Sequence, residues 1–127
     1  MYKKIIIILI LIFVLYLFLI RKDENFTNQA YPIKRKRFVW YYAPWCGYCK
    51  QFKPTWDILC RNKWKYPGYI FSSYNCDQYP GLCQKKGISS FPTLRIEKIN
   101  DKNELITEVE FIENRNLGNI DNFLKRN

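Results

Sequence analysis

The chain of 127 residues has no histidine, and its 11 acidic residues are outnumbered by 21 basic ones. Without histidine, a zinc site of the ribbon type would have to come from the five cysteines. It also needs two close C-x2-C pairs, and only Cys46 and Cys49 have that spacing. Small residues are missing where a signal-peptidase site would need them. Nothing across 15–25 resembles an A-x-A pattern, and the first alanine is Ala30. No internal repeat occurs, and no low-complexity tract occurs beyond one apolar run.

That run, IIIILILIFVLYLFLI at 5–20, is sixteen consecutive apolar positions between Lys3-Lys4 and Arg21-Lys22. A bilayer core takes about 20 helical residues, with roughly 17 as the short end. Tyr2 and the aliphatic stems of Lys4 and Arg21 can cover the difference. With no cleavage pattern, the expectation is an uncleaved anchor over 1–22. A basic juxtamembrane linker follows over 23–37, and one domain of about 90 residues over 38–127. Residues 1–37 carry eight Lys/Arg against two Asp/Glu, and residues 38–127 carry thirteen against nine. The run Lys34-Arg35-Lys36-Arg37 reads as a solvated linker or as a patch attracted to anionic lipid. Its place beside the apolar segment argues against nucleic acid as a partner.

From 38 onward the texture is that of an α/β domain. RFVWYYA suggests a buried strand, and YIFSSYN (69–75) and Thr93–Lys98 suggest two more. Glu104–Phe111 alternates as a half-buried strand does, after a turn at Asn100-Asp101. Helical spacing runs from Cys46 to about Trp64, with Pro54 inside it, and from Leu117 to Lys125. A short helix is expected from Pro80 to about Lys86, ended by Gly87. Two strands joined by a helix should lie parallel.

The cysteines sit where this order gives them chemistry. Cys46 falls at the first turn of a helix, where free backbone N–H groups and the helix dipole favour a thiolate. Cys49, three residues on, returns to the same face within disulfide reach. Cys46 is thus the expected nucleophile of thiol–disulfide exchange and Cys49 the more buried resolver. A four-cysteine metal site from Cys46, Cys49, Cys76 and Cys83 stays open as an alternative. Cys60 reads as a small buried hydrophobe, and Lys50 as an exposed helix residue.

The stretch YYAPWCGYCKQFKPTW closely resembles FYAPWCGHCKxLxPxY, the signature of thioredoxin-fold domains in the protein disulfide isomerase family. NCDQYPGLCQKKGISSFPTL resembles VDCxxxxxLCxxYGVxxYPTL, and FIENRNLGNIDNFLK resembles YxGxRxxxxIxxFLK. The resemblance covers about 38–125, with three motifs in order. It implies a thioredoxin fold: a mixed sheet flanked by helices. The stretch before the central strand is too short for the family's usual N-terminal βα unit, which should be truncated.

The resemblance also implies a cis peptide before Pro92 and substrate contacts at Trp45, Gly47, Tyr48, Phe91 and Pro92. Arg115 would approach the active cysteines and modulate their titration, and Cys76–Cys83 would be a structural disulfide. Two departures matter. The buried acid expected six residues before the first active cysteine is Trp40, and the histidine between the cysteines is Tyr48. A phenol cannot stabilise a thiolate as an imidazolium does, so a less oxidising couple is expected.

The function these readings imply is a membrane-anchored disulfide oxidoreductase or isomerase. Its substrates would be protein thiols and disulfides, recharged by an unidentified redox partner, with no organic cofactor or metal. A non-catalytic binding or chaperone module and a zinc-binding domain are the alternatives. A structural disulfide favours the ER lumen or the cell exterior for the domain. A virion membrane with the domain facing the cytosol is the runner-up.

Overall fold

The computed structural model describes residues 1–20 and 35–127. The chain divides into two units, Met1–Ala30 and Tyr31–Asn127. Within the first, Tyr2–Ile20 forms helix α1, and its side chains from Ile5 to Phe18 are all exposed. Among the described residues, no helix is long and apolar enough to cross a membrane. The physical reason lies in the expected anchor itself: its apolar run is sixteen residues, just under the roughly 17 that a span takes. Residues 23–34 of the expected linker, and 21–22 of the expected anchor, lie outside the described residues.

The second unit holds β1 (Arg35–Tyr42), α2 (Gly47–Arg61), β2 (Tyr69–Asn75) and α3 (Pro80–Lys85). Then come β3 (Thr93–Ile99), β4 (Leu105–Glu110) and α4 (Leu117–Arg126). The sheet order is β2-β1-β3-β4. β1 and β2 run parallel, joined through α2, while β1/β3 and β3/β4 are antiparallel. This is the mixed sheet with flanking helices that the family resemblance implied.

Alternation along β1 sorts its side chains onto two faces. Phe38 and Trp40 join the larger core with Phe52, Trp56 and Leu59 of α2, Leu94 and Ile96 of β3, and Ile120, Phe123 and Leu124 of α4. The ring of Phe38 lies 5.6 Å from Trp56 and 5.7 Å from Phe71. Each such buried side chain contributes roughly 1.5–3 kcal/mol from area alone. Val39 and Tyr41 face the other way and pack with Cys76 and Cys83.

The basic run behaves differently from the expected solvated linker, since β1 begins at Arg35. Lys36 Nζ donates to the carbonyl of Asn127 at 2.7 Å and lies over the Tyr69 ring. Arg37 Nη2 reaches the carboxylate of Glu97 at 2.8 Å. Only Lys34 of the run lies outside the described residues.

Glu97 itself is an unexpected interior charge, 1% exposed. It accepts hydrogen bonds from Tyr41 Oη (2.8 Å), Lys86 Nζ (2.6 Å) and Arg37 Nη2 (2.8 Å). Burial pushes its carboxyl up, but the hydrogen bonds from Lys86 and Tyr41 and the charges of Lys86 and Arg37 outweigh it. The net result is a carboxyl held below its ordinary value. Burial and the bond to Glu97 together push the Tyr41 phenol up.

Candidate functional site

α2 starts immediately after Cys46, which is its N-cap with φ −75° and ψ 116°. Helix starts leave backbone N–H groups unpaired. Here the Cys46 Sγ takes one of them, accepting from the N–H of Cys49 at 3.3 Å. Cys46 N donates in turn to the carbonyl of Ala43 at 3.1 Å, which fixes the turn from β1 into the helix. Cys46 is 7% exposed and Cys49 2%, and both are free thiols.

The loop before β3 closes over this pair. The Phe91–Pro92 peptide is cis, and Cys46 Sγ donates to the carbonyl of Phe91 at 3.6 Å. Arg115 Nη2 donates to the carbonyl of Pro92 at 3.0 Å, so its guanidinium sits behind the same loop. Burial pushes the Cys49 thiol up to about 11, with the hydrogen bond and charge of Cys46 adding to the rise. The Ala43 backbone and the Arg115 charge pull it the other way.

Aromatic side chains rim the opening. Trp45 is 67% exposed, stands edge-on to Phe91 at 5.9 Å, and donates its indole N–H to Asp77 Oδ1 at 3.3 Å. Tyr48 is 71% exposed, and Gly47 opens α2 with free space where a Cβ would stand. Asp77 was not legible as part of this rim. Its only sequence signal is that it follows Cys76. An Asx turn, with Asp77 N donating to Asn75 Oδ1 at 3.0 Å, brings it round to Trp45.

Cys76 and Cys83 are bonded to each other, with S–S 1.99 Å and Cα–Cα 5.7 Å, tying the end of β2 to α3. They therefore stand apart from Cys46 and Cys49. Among the described residues, no group of three or more metal-ligating side chains is suited to an ion. Cys60 is half-buried rather than buried, and burial, followed by the charge of Asp57, pushes its thiol up.

Trp40 takes the place where the family resemblance implies a buried acid. It is 5% exposed and packs on Tyr42 (4.6 Å), Phe52 (5.4 Å) and Trp56 (5.4 Å). Among the described residues, its buried Nε1 has no hydrogen-bond partner. A cavity of about 290 Å³ lies beside it, lined among others by Cys49, Lys53, Trp56, Asp57 and Ser73.

Known proteins agree with this architecture. The thioredoxin family model matches residues 18–126. A thioredoxin domain-containing protein 5 homolog of Drosophila melanogaster is 32% identical over 114 residues, covering 84% of this chain and 26% of that protein. Protein disulfide-isomerase 1 of Caenorhabditis elegans is 31% identical over 103 residues, covering 81% of this chain and 20% of that protein. The crystal structure of the Trx4 domain of ERdj5 superposes with a TM-score of 0.61 at 29% identity, covering 73% of this chain and 79% of the other. This chain thus spans about a quarter or less of the two curated relatives. With a family model over most of its length and two relatives more than 30% identical across four-fifths of it, the chain belongs to the thioredoxin family.

Proposed function

We propose that the chain is a protein thiol–disulfide oxidoreductase or isomerase working through Cys46 and Cys49. The observation that carries this reading is the Cys46 sulfur at the start of α2. It accepts the Cys49 N–H and lies against the carbonyl that precedes the cis proline. In reduction or isomerisation, the Cys46 thiolate attacks a client disulfide and a client thiolate leaves. Cys49 then attacks Cys46 Sγ, forming the Cys46–Cys49 bond and releasing the second client sulfur. Oxidation runs the same steps backward. Phe91–Pro92 would pair with an extended client backbone, with Trp45, Gly47 and Tyr48 as the surrounding contact surface. Arg115, behind the loop, favours the charged form of Cys49. No metal or organic cofactor takes part in these steps.

The test is trapping. Cys49→Ala should accumulate mixed disulfides with client proteins, and Cys46→Ala should accumulate none. Equal trapping by the two variants would reverse or remove the assigned roles. The exposed Trp45 and Tyr48 favour a second reading, a non-catalytic module that holds unfolded chains. Retained client binding without any turnover of a disulfide-bonded protein substrate would select it.

The reading extends to location. The exposed apolar side chains of α1 suit attachment to a membrane surface. Release of the chain by alkaline carbonate washing of membranes would count against an attachment through these side chains. The Cys76–Cys83 bond favours the ER lumen or the cell exterior, where disulfides persist, over a cytosol-facing domain on a virion membrane. Alkylating free thiols in intact cells, then mapping by mass spectrometry, should find Cys76 and Cys83 protected even when Cys46 and Cys49 are alkylated. Free Cys76 and Cys83 at steady state would remove the reason for that placement.

A further inference from the structure

The resolving step asks something of Cys49 that its surroundings do not obviously give. Its thiol is 2% exposed and held up to about 11, yet it must lose a proton before it can attack Cys46. The groups facing it are few. Cys46 hydrogen-bonds it from its own helix, and Arg115 acts on it through charge. β1 contributes Trp40 and Tyr42, β2 contributes Ser73, and Lys50, Lys53 and Asp57 line the same cavity from α2. Trp40 offers only an N–H donor there, so it cannot take the proton.

The cavity supplies a route. Its volume of about 290 Å³ leaves room for several waters, at about 30 Å³ each in the liquid. Trp40 lines this cavity, and among the described residues its buried Nε1–H has no hydrogen-bond partner. Asp57 is the one carboxylate among the described residues that line the cavity. Lys53 holds it at 2.8 Å, and it is 45% exposed and so in exchange with bulk solvent.

We infer that this cavity is the proton exit of Cys49 and that Asp57 is the acceptor at its outer end, acting through water. The inference rests on the proposed exchange at Cys46–Cys49. As Cys49 attacks the mixed disulfide, its S–H proton passes along the cavity water to the Asp57 carboxylate and from there to solvent. The Cys49 sulfur bonds to Cys46 Sγ, the Cys46–client S–S bond breaks, and the client sulfur leaves with the bonding pair and is protonated by solvent. Asp57 is a positioning residue in this step, because water lies between it and the reacting sulfur.

The experiment is single-turnover reduction of a disulfide-bonded protein by the full chain in detergent micelles. Formation and decay of the mixed disulfide are followed by acid quench and mass spectrometry across pH. Asp57→Asn should leave formation unchanged and slow decay roughly tenfold near pH 7, below the usual general-base range of about 10²–10⁴ because water intervenes. The two profiles should converge toward about pH 10, where hydroxide takes the proton. Asp57→Glu should restore the wild-type decay, and added imidazole should speed the Asn variant. An Asn variant that decays at the wild-type rate at every pH overturns the inference, as does a loss that Glu does not restore. A wild-type chain that forms no mixed disulfide overturns the proposed exchange as well, so the two failures are distinct.

Discussion

Replacing Glu97 by Gln tests the charge at the centre of the α3-side face. The substitution keeps the shape but removes the negative charge that meets Lys86 Nζ at 2.6 Å and Arg37 Nη2 at 2.8 Å. Breaking a buried pair by neutralising one partner costs about 3–5 kcal/mol, because the remaining charge stays buried. The partner side chains here are 16% and 26% exposed and keep some solvation, which lowers the expected loss to about 2–3 kcal/mol. The loss should also depend on pH. The folded-state carboxyl of Glu97 lies below its ordinary value of 4.5. Its stabilisation is therefore fully present above that value and disappears as pH falls through the lower folded value. Urea unfolding followed by tryptophan fluorescence should show the wild type well ahead at pH 7, with the gap closing as pH falls below the ordinary carboxyl value. Adding Lys86→Met to Glu97→Gln should recover part of the loss, since it removes a cation left with only the Glu108 carboxylate, at 3.8 Å. A Gln variant within about 0.5 kcal/mol of wild type, or a gap that stays constant with pH, would refute the reasoning.

Two further substitutions probe the site. Tyr48→His should make the Cys46–Cys49 couple more oxidising, read by glutathione equilibration, with about 30 mV for each 1.4 kcal/mol of differential stabilisation. An unchanged or more reducing potential would mean that residue 48 does not face Cys46. Trp40→Glu should speed resolution of mixed disulfides in stopped-flow measurements by putting an acceptor beside Cys49. It should also lower stability by about 3–5 kcal/mol through loss of the contacts with Tyr42, Phe52 and Trp56. Resolution at the wild-type rate would count against a proton-limited step.

Local patterns carried the fold a long way. YIFSSYN is strand β2 over its whole length, and β3 and α4 each end within a residue of where periodicity placed them. The misplaced boundaries have two causes. Arg35–Arg37 looked solvated because they are charged, but strand pairing uses backbone groups, and the charged tips found partners far along the chain. α2 stops at Arg61, and the 3₁₀ turn Lys63–Lys65 continues the helical texture that had extended it to Trp64. Glu97 was illegible for the same long-range reason. In TLRIEKI it alternates with Leu94 and Ile96 as a solvent-facing residue would, and Tyr41, 56 positions away, helps to bury it. At the site, the cysteine pair was legible because helix spacing alone brings residues three apart together. The Asp77–Trp45 contact and the cavity beside Trp40 depend on how separate elements meet, which no local pattern encodes.

The hydrogen bond from Lys36 to Asn127 has a consequence for modularity. It places the entry into the domain's first strand beside the last residue of α4's tail. A unit whose two ends lie side by side can be spliced into a surface loop of a host protein without stretching either partner. It can equally be reopened elsewhere by circular permutation, with a short linker closing the old ends.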